Sequence, residues 1–306
     1  MNQSNPPNHF KSGFVAVVGR PNVGKSTLIN AFVGQKIAAV SPKPQTTRLN
    51  QLGILTNEKA QIVFVDTPGI HQPKHTLGKG MNAAAQDALI DADVVLWLVD
   101  ISENPHAEDQ IIAERMKGVQ AVIQALNKID LIKDADALAR KRSLFLELLP
   151  STEQIMISAV EGTGFDALRE KILTYLPEGP PLYPEDQITD LYEREIAADL
   201  IREAALNNLR DEIPHAIAIR IDEYKERDET GAFIAATIFV ERDSQKGIVI
   251  GRQGSVLKAI GTAARKAIEA MSGRKVFLDL RVKVKKNWRT DSAFLKQMGY
   301  SKLGED

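Results

Sequence analysis

The stretch Gly19-Arg20-Pro21-Asn22-Val23-Gly24-Lys25-Ser26-Thr27 sets two glycines, a lysine and a hydroxyl at the spacing that suits the phosphates of a nucleoside triphosphate. Glycines let backbone N–H groups turn onto phosphate oxygens, and a helix opening at Lys25 adds the positive end of its dipole. Lys25 is expected on the β and γ phosphates, and the Ser26 hydroxyl on Mg²⁺. Downstream, Asp66-Thr67-Pro68-Gly69 supplies a carboxylate for the same ion and a glycine N–H for the γ phosphate. Asn127-Lys128-Ile129-Asp130 selects the base. Guanine presents two N–H donors that the Asp130 carboxylate accepts together, whereas adenine would leave that carboxylate unpaired, at a cost of about 1–3 kcal/mol. Ser158-Ala159 is expected to finish the pocket through backbone N–H groups to guanine O6.

A threonine from Gln45-Thr46-Thr47-Arg48 is needed to close over Mg²⁺; Thr47, next to Arg48, is the first choice and Thr46 the alternative. The expected metal set is therefore Ser26, Thr47 and Asp66. Lys25, Thr47, Gly69 and Asn22 are the residues expected to act on the reacting phosphate. Ile70 stands where a Ras-like enzyme carries the glutamine that orients water, so water must be positioned by another group and intrinsic hydrolysis should be slow. The five histidines, His9, His71, His75, His106 and His215, have no metal-ligand spacing and read as surface residues.

A second glycine loop, Gly251-Arg252-Gln253-Gly254, follows Ile248-Val249-Ile250 and precedes a helical pattern. Such a loop brings backbone close to a nucleic-acid strand, and apolar residues beside it form a groove for unstacked bases. Lys246, Ile250, Lys258, Lys283, Lys285 and Lys286 join the loop as expected RNA contacts. Trp288 either stacks on a base or packs in the core, with packing the stronger reading. Between residues 240 and 290 there are 13 Lys/Arg and 4 Asp/Glu, although the whole chain carries a net charge of −1. A polyanionic partner for this end is the natural inference.

These residues need a scaffold, and the pattern of apolar runs describes one. Strands are expected over 14–18, 49–56, 61–65, 94–99, 121–126 and 154–157, with helices over 25–33, 77–89, 107–117, 135–148 and 165–175. Their alternation predicts an α/β domain with a mostly parallel six-stranded sheet and helices on both faces. Pro177, Pro180, Pro181 and Pro184 mark a stiff extended linker. Beyond it come a helix over 190–209, strands over 216–224 and 232–240 around a turn at 229–231, the residues 247–250 leading into the glycine loop, a helix over 255–271 and a strand over 276–284. That order makes a small α+β domain. The expected division is a disordered leader over 1–11, a nucleotide domain over 12–176, a linker over 177–190 and an RNA-binding domain with its tail over 191–306. The absence of cysteine excludes disulfides and thiol chemistry, and no apolar run approaches the roughly 20 residues a membrane helix needs.

Together, Gly-Arg-Pro-Asn-Val-Gly-Lys-Ser, Gln-Thr-Thr-Arg, Asp-Thr-Pro-Gly, Asn-Lys-Ile-Asp and Ile-Gly-Arg-Gln-Gly resemble the bacterial Era GTPases, from Gly13 to near the C-terminus. A related family with two GTPase domains before a KH-like domain is excluded, since only one phosphate loop is present. The resemblance implies a P-loop GTPase domain followed by a type II KH domain, GTP and GDP as ligands, and Mg²⁺ as cofactor. Asn22 would help hold K⁺, as in potassium-stimulated GTPases, or else is a simple loop residue. The resemblance further implies binding to the 3′ region of 16S ribosomal RNA, a switch role in assembly of the small (30S) subunit, a cytoplasmic monomer, and peripheral association with the inner face of the cell membrane. Two rivals are a signalling GTPase whose tail binds protein or membrane, and a nucleotide-binding scaffold with negligible hydrolysis.

Overall fold

The computed structural model describes residues 9–41, 43, 46–70, 76–150, 152–227 and 231–300. Gln45, His71, His75, most of the leader and part of the 229–231 turn lie outside the described residues. The chain divides into two compact units: Met1–Gln35, Thr47–Gln72 and Met81–Asp190 form the first, and Lys36–Thr46, Pro73–Gly80 and Leu191–Asp306 the second.

The first unit is built on six strands, β1 (Lys11–Val18), β2 (Gln51–Thr56), β3 (Ala60–Asp66), β4 (Val94–Asp100), β5 (Val122–Asn127) and β6 (Glu153–Met156), in the order β2-β3-β1-β4-β5-β6. Only the β2–β3 pairing is antiparallel; the other four are parallel. Every residue of β3 and β4 is buried, which requires cover on both faces of the sheet and explains their unbroken apolar runs. Helices α1 (Lys25–Val33), α2 (Thr76–Asp91), α3 (Ala107–Met116) and α4 (Ala135–Leu148) connect them, and α5 (Phe165–Tyr175) follows β6. Where polar signals are explicit the starts are sharp: Asp134 caps α4 by accepting from the Asp136 N–H at 3.0 Å. Phe32 of α1 lies between Phe64 of β3 and Phe165 of α5, with ring centroids 5.0 and 4.5 Å apart.

The proline-rich segment does not run free. Ser12 N–H donates to the Pro177 carbonyl and Gly179 N–H to Phe10, while the buried Gln61 side chain accepts from the N–H groups of Leu182 and Tyr183 at 2.7 and 2.9 Å. Ile54 N–H donates to the Ile188 carbonyl at 2.8 Å. Proline offers no donor, so the intervening residues and one glutamine amide supply the bonds that fasten this strap to the sheet.

The second unit packs helices α6 (Glu193–Asn208) and α8 (Ser255–Ser272) on one face of a three-stranded sheet, β7 (Ala218–Arg227), β8 (Gly231–Val240) and β9 (Lys275–Val284), in the order β7-β8-β9. Strand β8 pairs antiparallel with β7 and parallel with β9. Ala232, Ile234, Ala236, Ile238 and Val240 of β8 face the core, with Val276 and Val282 of β9. Helix α6 starts three residues later than its apolar pattern suggests, because Glu195 accepts from the Tyr192 N–H and fixes the first turn there.

Two helices have no counterpart in the sequence pattern. Residues 247–250 are not an extended lead-in but the end of α7 (Asp243–Ile250); the Gln245 side chain accepts from the N–H groups of Glu241 and Arg242 and nucleates it. Gly247 and three β-branched residues hide that helix in the sequence. Asp291 caps α9 (Ser292–Gln297). No helix among the described residues is long and apolar enough to cross a membrane.

Candidate nucleotide and nucleic-acid sites

At the end of β1 the phosphate loop leads into α1, so Lys25 and Ser26 sit at the N-terminus of a helix. Lys25 is almost fully buried and its Nζ donates to the carbonyls of Gly19 and Arg20, both at 3.1 Å. Burial lowers its pKa from 10.5 to about 8, with the Asp66 charge opposing. Three oxygens meet beside it. Ser26 Oγ donates to Asp66 Oδ2 at 2.6 Å, Thr47 Oγ1 donates to the same oxygen at 3.1 Å, and the two hydroxyls are 3.0 Å apart. Thr46 is not in this group; its Oγ1 donates to the Lys43 carbonyl. A compact set of hard oxygens with one carboxylate suits Mg²⁺.

Thr67 Oγ1 donates to the Val17 carbonyl at 2.8 Å, tying the Asp-Thr-Pro-Gly turn to β1. Gly69 lies so close to the phosphate loop that a Cβ there would come within 2.8 Å of Pro21 N. Ile70 is buried in the apolar core and offers nothing to water. Asn22 is exposed, with φ 67.

On the base side, Asn127 binds two loops at once: its Nδ2 donates to the Val23 carbonyl at 2.7 Å, and its Oδ1 accepts from the Ala159 N–H at 2.9 Å. Lys128, at φ 69, forms an ion pair with Asp100 at 2.5 Å, and Asp130 follows half-buried in a short 3₁₀ turn. The Ser158 and Ala159 N–H groups, expected at guanine O6, are engaged within the loop in this structure. The Ser158 N–H donates to the Thr163 carbonyl and the Ala159 N–H to Asn127, so both build the loop itself.

The motif places Arg20 among the phosphate contacts, but its guanidinium turns instead to Glu103 Oε2 at 2.6 Å and to the fully buried Asp109 at 3.3 Å. The Arg20 hydrogen bond holds Glu103 below the usual carboxylate range, whereas burial pushes Asp109 above it. Neither acid carries a sequence signal, since both lie far along the chain from Arg20.

In the second unit, Gly251 adopts φ 73 and a Cβ there would meet Val256 Cγ2 at 2.5 Å; Arg252 and Gln253 are exposed between it and Gly254. Beyond the loop, α8 and β9 enclose a groove of about 380 Å³. Leu257, Leu278 and Leu280 supply apolar surface, with Lys258 and Arg265 also lining it. Ile250 is half-buried against the core and Lys246 lies on α7. Sequence reasoning misses the three leucines and Arg265, because apolar strand and helix positions read as core until a groove exposes them.

Lys283 and Lys285 are expected beside this loop, and the structure does not bring them there. Strand parity turns Lys283 away from the face that carries Val282 and Leu280, and Lys285 pairs with Asp291 at 2.6 Å over the Phe294 ring. Lys286 is exposed just past the strand. Trp288 is fully buried and donates to the Ala216 carbonyl at 2.9 Å, which settles it as a packing residue.

A P-loop sheet with Asn-Lys-x-Asp in one unit and a KH fold in the other define a GTPase joined to an RNA-binding module. The "50S ribosome-binding GTPase" family matches residues 14–128, and the KH domain family matches residues 212–289. The chain is 46% identical to GTPase Era of Ruminiclostridium cellulolyticum over 95% of its own length and 98% of that protein's. It is 44% identical to GTPase Era of Heliobacterium modesticaldum, over 97% and 99%. Among solved structures it is similar, at a TM-score of 0.90 and 41% identity over 95% of this chain and 99% of the other, to Era in complex with MgGDPNP and nucleotides 1506–1542 of 16S ribosomal RNA. A tyrosine-to-alanine variant of Aquifex aeolicus Era bound to GDP·AlF₄⁻ matches to the same degree. The chain belongs to the Era family of GTPases.

Proposed function

We propose that this GTPase is a nucleotide-gated RNA-binding switch that engages the 3′ region of 16S ribosomal RNA during assembly of the small ribosomal subunit. The observation that supports the reading most is the similarity, over 95% of the chain, to an Era bound to that RNA. The basic, apolar groove beside Gly254 fits the same role. The chain would act in the cytoplasm, any membrane contact being peripheral.

Ser26, Thr47 and Asp66 would hold Mg²⁺, which supplies neutralisation of the charge on the transferring phosphoryl group. Lys25 would release its bonds to Gly19 and Arg20 and take the phosphates, keeping its proton because their charge favours the ammonium. Backbone N–H groups of the loop and of Gly69 would donate to the oxygens whose charge grows as water attacks in line. Asp130 would accept the two guanine donors. Asn127, already bonded to Val23 and Ala159, would fix the distance between base and phosphate sites. With Ile70 buried, no side chain at that position orients the water, so unassisted turnover would be slow. Asn22 would offer its side-chain oxygen to K⁺ against the phosphates.

Two measurements test this reading. Single-turnover GTP cleavage should be faster in K⁺ than in Na⁺; absence of cleavage in both would reduce the protein to a nucleotide-binding scaffold. Replacing Arg252 and Gln253 together by Asp should abolish retention of a single-stranded RNA carrying the 16S 3′ sequence. Normal retention by that variant would overturn the RNA reading and favour a protein-binding tail.

A further inference from the structure

The groove uses one face of the three-stranded sheet's edge strand. The other face is built differently. Side chains of opposite parity, Phe233 on β8 and Phe277 on β9, stand directly opposite each other in the parallel register and stack, with centroids 5.7 Å apart and planes 16° from parallel. Phe277 is 65% exposed, a large apolar surface left to solvent. The Arg227 guanidinium lies 5.3 Å from the centroid of the Phe233 ring. At the far end of the same face Phe239 is covered by Phe294, so the C-terminal segment closes one end and leaves the Phe233–Phe277 end open.

The charges on this face are unbalanced. Its acids are each taken up in a local ion pair: Asp222 with Arg220, Glu223 with Lys225 and Asp279 with Arg281. Arg227, Lys275 and Lys283 add three cations that these pairs do not take up; Lys283 and Lys275 stand beyond ion-pair distance of Asp222 and Glu269, whose pKa values they help to lower. A flat aromatic pair bordered by an excess of cations is the arrangement that binds single-stranded nucleic acid, where bases stack and phosphates meet the cations. An apolar peptide would use the phenylalanines but leave three cations unanswered, and a lipid surface would use the cations but not the paired ring geometry.

We propose that the open face of this sheet, centred on Phe233 and Phe277, is a second contact site for single-stranded RNA, separate from the groove between α8 and β9. Strand β9 lies at the sheet edge and contributes to both faces: Leu278 and Leu280 line the groove, while Phe277 and Lys283 belong to the open side. An RNA strand leaving the groove passes round one edge to reach the stacked rings. This inference rests on the RNA-binding function proposed above.

The test uses the full chain and two fluorescent single-stranded RNAs carrying the 16S 3′ sequence, of about 8 and about 30 nucleotides, the shorter sized to fill only the groove. Phe277→Ala should bind the long RNA about five- to tenfold more weakly and the short one unchanged. Phe277→Tyr, which keeps an aromatic face, should restore wild-type affinity, and an unchanged thermal transition shows that the fold survives. Ultraviolet crosslinking of the long RNA should label the peptide containing Phe277. Equal affinity of wild type and Phe277→Ala for the long RNA overturns the second site, and so does a loss confined to anionic phospholipid vesicles or to a protein partner. Undiminished binding of the short RNA by the Arg252→Asp, Gln253→Asp variant instead overturns the groove, and with it the proposed function, whatever Phe277 does.

Discussion

Lys25 is held by two carbonyls of its own loop and buried deeply enough that its pKa falls to about 8. Because the folded value lies below the unfolded one, the unfolded chain holds more protons between about 8 and 10.5, and this lysine makes stability rise with pH across that window. Binding phosphates reverses the shift. Guanine-nucleotide binding should therefore take up a proton above pH 8, and affinity should weaken from pH 8 towards 9; calorimetry in buffers of different ionisation enthalpy reads both. Lys25→Ala should slow single-turnover cleavage by a factor of about 10²–10³. Asp109 makes a different case. It accepts from the His106 N–H at 2.9 Å and pairs with Arg20 behind the phosphate loop. Asp109→Ala leaves the Arg20 guanidinium with Glu103 as its acidic partner but removes the second contact and the bond to the His106 N–H, and should cost about 1–2 kcal/mol in urea unfolding. Those contacts are invisible in sequence: Arg20 reads as a phosphate ligand because of its place in the motif, and the acids that turn it away are distant along the chain.

At the scale of elements, the two glycines of the loop between α7 and α8 have unequal jobs. Both adopt positive φ, but a Cβ on Gly251 would enter the Val256 side chain whereas one on Gly254 meets nothing within 4 Å. Gly251→Ala should destabilise the second unit by about 2–3 kcal/mol and Gly254→Ala by about 1 kcal/mol, a difference that chemical denaturation resolves. The strap offers a second contrast. Gln61→Leu preserves size but removes three bonds to Leu182 and Tyr183, so hydrogen exchange at those two amides should accelerate while β3 stays protected. Elements with strong local signals are legible: α1, α4 and α5 fall where the glycine, Asp134 and apolar periodicity place them. Helix α7 is not, since its Gly247 and β-branched residues argue locally against the helix that Gln245 and core packing of Val249 impose. The direction of Lys283 is equally unreadable, because a charge has no side of the sheet until its strand parity is known.

For the molecule as a whole, net charge is a poor guide to its partner. A chain at −1 should bind polyanions weakly, yet its cations gather at one end of the sequence and the fold divides them between a groove and the opposite sheet face. If Lys246, Arg252, Lys258 and Arg265 each meet one phosphate of the short, groove-filling RNA, the logarithm of its affinity should fall with the logarithm of salt at a slope of about −3. Nucleotide affinity, set by backbone donors and a buried lysine, should respond far less in the same titration. One side chain in the first unit constrains how the molecule can change. Asn127 is the shared keystone of the phosphate loop and the Ser158–Ala159 loop, so its replacement disturbs triphosphate affinity and base choice together. Asp130 carries no such double duty. A lineage, or an engineer, seeking a different purine has one adjustable position beside one that cannot be altered without losing the site.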